Sequence, residues 1–175
     1  VIRFDASGKA LDVSGMKGGR DPGRADPRPK EYHLKVDKLY TGADGFISDA
    51  EGFAIRDGQG WSAISLRGSA MGERNMTIDL TPQKDGSRSF AIHCPDFGTM
   101  LRGLGFTDTV KGGEVKIVGG SKPETPRVIE GTAKIGSFSV GNLPVLMVLL
   151  NATSPFGFAN LLSGTTSFDR LKGRF

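Results

Sequence analysis

The sequence predicts a mainly β protein: a curved antiparallel sheet, half-pipe or groove-like, with three short helices covering one end. Three observations carry that prediction. Glycine accounts for 26 of 175 residues, about twice the usual ~7%. Several runs alternate strictly between apolar and polar residues, the period of a strand with one buried face. Asp-Gly pairs at 44–45, 57–58 and 85–86 separate these runs and supply the residue types that tight hairpin turns require.

The elements follow in order. Val1–Met16 reads as one or two short strands, at Val1–Phe4 and then Ala10–Val13. Lys17–Lys30 carries three glycines and three prolines among mixed charges, a composition that cannot pack a core, and is expected to be a mobile loop. Tyr32–Asp37 alternates strictly, with Tyr32, Leu34 and Val36 on one face and His33, Lys35 and Asp37 on the other. Further strands are expected at Phe53–Arg56, around Ile64 and Leu66, at Met76, Ile78 and Leu80, at Phe90 and Ile92, at Val115 and Ile117, over Ile129–Ile135, and over Ser167–Phe175.

The first helix is expected over 96–105. Asp96 is its cap, Phe97, Met100, Leu101 and Leu104 lie at helical spacing, and Gly105 follows as a left-handed terminator. Asn142 opens a second, 142–151, apolar on every side, and Ser154-Pro155 opens a third, 154–164. Neither of these two contains lysine or arginine between Leu143 and Leu162, so both are expected to pack against the sheet rather than on a membrane surface. The whole, 1–175, is read as one β-rich domain or a fragment of a longer repeat-groove protein.

Catalytic chemistry finds no foothold. No nucleophile elbow, phosphate loop or dinucleotide fingerprint occurs. Two histidines and one cysteine are too few for a common structural zinc site, and His93 and Cys94, being adjacent on a strand, point to opposite faces. Neither a metal nor any other cofactor is expected, and the chain is read as no enzyme. Gly112-Gly113 and Gly119-Gly120 read as turns, and Trp61 as a rim or core aromatic at a strand start. The net charge of +4 is spread along the chain rather than clustered, which argues against nucleic acid. Leu34, Val36, Ile78, Leu80, Ile92, Val115 and Ile117 all occupy the apolar phase of their strands and are predicted to line one groove or core.

From about Glu31 to Phe175 the order of features resembles the AsmA-like family of bacterial envelope proteins, of the YhdP and TamB type. The resemblance is carried by Asp96-Phe97-Gly98-Thr99-Met100-Leu101-Arg102-Gly103-Leu104-Gly105 and then Val110-Lys111-Gly112-Gly113-Glu114-Val115. Ser137-Phe138-Ser139-Val140, Asn142-Leu143-Pro144-Val145-Leu146, Ser154–Gly164 and Phe168-Asp169-Arg170-Leu171 continue it. The resemblance implies a piece of the periplasmic part of a longer protein, anchored in the inner membrane by a segment outside this chain. Repeated sheets of such proteins curl into a groove that conducts phospholipid between inner and outer membrane. The implied partners are phospholipid acyl chains, flanking repeats of the same protein and other envelope proteins. The competing expectation is an envelope scaffold module whose helices close its own core, with no lipid.

Overall fold

In the computed structural model, residues 1–15, 28–42, 44–57, 60–125, 128–141 and 166–174 are described. Within them the chain is mainly β. The strands are β1 (Ile2–Asp12), β2 (Lys30–Tyr40), β3 (Phe46–Asp57), β4 (Gly60–Ala70), β5 (Arg74–Pro82) and β6 (Arg88–Cys94), followed by helix α1 (Phe97–Gly103). Then come β7 (Val110–Gly112), β8 (Val115–Ser121), β9 (Glu130–Ile135), β10 (Phe138–Val140), β11 (Thr166–Phe168) and β12 (Leu171–Arg174). Nine strands form one open sheet in the order β1-β2-β3-β4-β5-β6-β8-β9-β12, and β11-β10-β7 form a second, small one. The expected helices 142–151 and 154–164 lie outside the described residues, as does most of the expected loop 17–30. Lys30, placed in that loop by its neighbours' composition, instead begins β2.

The sheet departs from an all-antiparallel meander at its first pair, since β1 runs parallel to β2 from Ile2↔Lys30 to Asp12↔Tyr40. A parallel return needs a connection of roughly a dozen residues or more, and 13–29 is long enough. Of the one or two short strands expected here, β1 is one, and it runs unbroken for 11 residues. Its polar middle, Ser7-Gly8-Lys9, reads as a break, but an edge strand tolerates polar residues on both faces. At the other end, Ser167–Phe175 is not a single strand. The chain changes sheets between β11 and β12, where the Ser137 hydroxyl donates to the Asp169 carbonyl at 3.1 Å.

Alternation holds through Val36 and then slips. β3 carries a bulge between Ser48 and Glu51 with Asp49 at φ 49°, so Ile47 and Ala50, of opposite parity, are both fully buried. In β2, Val36 and Leu39 are likewise both buried. These residues join Ala70, Met76, Cys94, Val115 and Ile135 in a core at one end of the sheet, under α1 and the small sheet. Phe138 ties that corner together, edge-on to Phe97 at 6.1 Å and stacked on Phe168 at 5.0 Å.

The helix has the ends its sequence specifies. Asp96 accepts from Thr99 N at 2.8 Å. Gly105 has φ 75°, and the bonds Phe106 N to Leu101 O and Gly105 N to Arg102 O, both 2.9 Å, make a Schellman termination. Two glycine readings change. Gly45 is required for a close approach, since a Cβ there would lie 2.4 Å from the Arg102 carbonyl. Gly119 and Gly120 lie inside β8, where a Cβ on either would meet a neighbouring strand's carbonyl at 2.5 Å. Gly112 and Gly113, at φ 74° and 85°, are a turn as expected.

Candidate functional site

Register places the apolar side chains in rows that cross the large sheet. The row nearest α1 contains Val36↔Ala50 at one side and Cys94↔Val115↔Ile135↔Leu171 at the other. The next is continuous across every strand of the sheet. Ala6 faces Leu34, Leu34 faces Gly52, and Gly52 faces Leu66; Ile78, Ile92, Ile117, Ala133 and Gly173 follow in turn. A third row runs Phe4–Tyr32–Ala54–Ile64–Leu80–Phe90–Gly119.

The seven residues singled out from the sequence therefore share one face but sit at three levels. Val36 and Val115 belong to the buried core, at 4% and 0% exposure. Leu34, Ile78, Ile92 and Ile117 are half-buried in the middle row, packed against that core from outside. Leu80, one row further out, is buried at 6% but is not part of the α1 core cluster. Leu66 and Phe90 complete the middle and third rows.

The span from Leu34 to Ile117 crosses five strand gaps, about 24 Å at ~4.8 Å per gap. A single acyl chain needs about half of a bilayer's ~30 Å hydrocarbon thickness. The face is long enough to hold one along the row.

At the end away from α1 the same face turns polar and aromatic. Phe4 stacks on Tyr32 at 5.1 Å, and Tyr32 meets Trp61 at 5.9 Å. Beyond them lies a row of cations: Lys30 opposite Arg56, Arg56 opposite Trp61, and Arg88 between Pro82 and Ser121. Sequence reading missed this rim, although its signal was present. Lys30, Arg56 and Arg88 each fall in the apolar phase of their strands, in step with Tyr32, Ala54 and Phe90.

The opposite face is polar and mixed in charge. Over β1–β4 it holds a shallow cavity of about 600 Å³ lined by residues including His33, Lys35, Glu51, Phe53 and Arg67. Lys35 and Glu51 approach to 3.9 Å there, and His33 lies 3.8 Å from Glu31. Towards β12 this face becomes basic, with His93, Lys116, Lys134 and Lys172 directly opposite one another. His93 approaches Glu114 at 3.4 Å, while Cys94 is buried on the other side of the strand. Among the described residues no group of three or more His, Cys, Asp or Glu is placed to hold a metal, and no helix is long and apolar enough to cross a membrane.

Comparison of the chain with protein-family models, with curated proteins and with solved structures gave no match.

Proposed function

We propose that this chain is a non-catalytic segment of a periplasmic lipid conduit, in which the apolar face of the large sheet shields phospholipid acyl chains passing between inner and outer membrane. The observation that carries the reading is the middle row. Leu34, Leu66, Ile78, Ile92 and Ile117 line up across the sheet and are only partly buried, while Val36, Ala50, Cys94, Val115 and Ile135 in the row beside them are buried with α1 and the small sheet. An apolar stripe left half-covered on an open sheet needs an apolar partner. A methylene withdrawn from water contributes ~0.8 kcal/mol, so a trough of ordinary aliphatic side chains suffices without a specialised residue. The resemblance to AsmA-like envelope proteins supports the same reading and supplies the compartment, the inner-membrane anchor of the parent protein and the flanking repeats as partners.

The buried corner under α1 favours the second reading, an envelope scaffold module that closes its own core. Native mass spectrometry of the gently purified protein, with organic extraction of the same sample, decides between them. Co-purifying phospholipid at about one molecule per chain is the expected result. A lipid-free protein that also takes up none from added vesicles would establish the scaffold reading instead.

A further inference from the structure

We propose that the rim beyond the third apolar row, formed by Lys30, Arg56, Arg88 and Ser121, binds the phosphate of a phospholipid headgroup. The proposal rests on the acyl-chain reading and adds the ligand's polar half to it.

The first argument is placement. A solvated cation belongs on the polar face of a strand, yet all three cations lie on the apolar face, in the row that ends it. Lys30 and Arg56 are directly opposite each other, an arrangement of like charges that weakens a sheet unless an anion sits between them. The Lys30 ammonium has no ion-pair or hydrogen-bond partner among the described residues.

The second argument is unmet hydrogen bonding. Arg88 donates one guanidinium N–H to the Trp61 carbonyl at 2.6 Å. Its Nε is buried and without a partner, as is Oγ of Ser121, the residue directly opposite it on β8. Ser121 is 8% exposed and the one buried polar residue on the described sheet. Neighbouring donors withdrawn from water and left unpaired are costly. A group with several acceptor oxygens and negative charge answers both donors and the adjacent cations together, and a phosphodiester is such a group.

The third argument is order along the face. Aliphatic rows come first, then the amphipathic rings of Tyr32 and Trp61 with Arg56 set 5.8 Å from the Trp61 ring, then the cations. That sequence of environments matches a phospholipid read from its tails through its glycerol to its phosphate.

Trp61 is the chain's one tryptophan, so its emission reports occupancy of the rim. The test titrates the whole chain with short-chain phosphatidylglycerol below its micelle concentration. Diacylglycerol of the same chain length, hexanoate and glycerol phosphate serve as controls, and native mass spectrometry confirms each complex. The expected result is phosphatidylglycerol binding at least about tenfold tighter than diacylglycerol, the scale of one or two charge-assisted hydrogen bonds. Arg88→Gln should bring the phospholipid down to the diacylglycerol level. The double change Lys30→Gln with Arg56→Gln, made at side chains that are not buried, should do the same and guards against misfolding of the Arg88 variant. Equal binding of both lipids by the wild type overturns the rim site and leaves the groove standing. Binding of neither lipid overturns both. Glycerol phosphate or hexanoate binding as tightly as the phospholipid overturns the headgroup assignment.

Discussion

Cys94 is fully buried in the core under α1, and its thiol reaches the Asp96 carbonyl at 3.3 Å. Burial pushes its pKa up. Because the folded value lies above the unfolded one, near ~8.5, its contribution to stability is complete below that pH. It is lost as pH rises through the raised folded value. Urea midpoints measured from pH 7 upward should therefore fall more steeply above pH ~8.5 for the wild type than for Cys94→Ala. Native Cys94 should also resist thiol reagents that label it at once in denaturant. A different constraint acts at Gly45, where a Cβ would lie 2.4 Å from one helix carbonyl and 2.9 Å from the Gly105 Cα. Neither atom is a flexible side-chain end, so the β2–β3 turn and the end of α1 must separate. Gly45→Ala should cost about 1–3 kcal/mol in chemical unfolding, whereas at Gly15 an added Cβ meets nothing within 4 Å, so Gly15→Ala should cost little.

Among the elements, α1 shows how far local signals reach. Its cap, its buried positions Phe97 and Met100 and its terminating Gly105 follow from residues within one another's reach in the chain. Asp96→Ala removes the acceptor for Thr99 N and should cost about 1 kcal/mol. The basic row on the polar face is an element-level feature of another kind. Lys134 lies directly between Lys116 and Lys172, and opposed like charges cost roughly 0.2–1 kcal/mol each. Lys134→Glu should accordingly raise the thermal midpoint at low salt, with the gain shrinking as salt screens the row. An unchanged midpoint would mean the three ammonium groups already splay into solvent. Lys172 on the last strand also keeps that open edge charged, which discourages pairing with a second sheet.

At the scale of the molecule, the rows separate positions that look alike in sequence. Val115 is fully buried beneath α1 and the small sheet, while Ile78 is half-buried on the next row out. Val115→Asp strands a carboxylate in the core and should prevent folding. Ile78→Asp should leave a folded protein, by circular dichroism and cooperative melting, that no longer crosslinks to a photoactivatable acyl chain. A folded Ile78→Asp protein that still crosslinks would move the acyl chain off the middle row. Unfolding by Ile78→Asp would make that row part of a closed core.

The β class, the apolar side of alternating stretches such as Tyr32–Val36 and Met76–Leu80 and the limits of α1 are properties of short stretches, and the sequence determined them by itself. Alternation at Tyr32–Val36, a cap at Asp96 and a left-handed glycine at 105 each act over a few residues, so their physics is legible without a partner. Only the tertiary structure decided which residues stand beside one another. The parallel pairing of β1 depends on a connection whose course no local pattern encodes. The bulge at Asp49 shifts parity so that Ile47 and Ala50 face the same way, and Gly45 and Gly119 are fixed by backbones distant in the chain. The rim was visible as single cations out of phase, at Lys30, Arg56 and Arg88. It becomes a site only because β2, β3 and β6 are held in a register that places those residues at one end of the same face, and register is set by pairing between strands rather than by any strand alone.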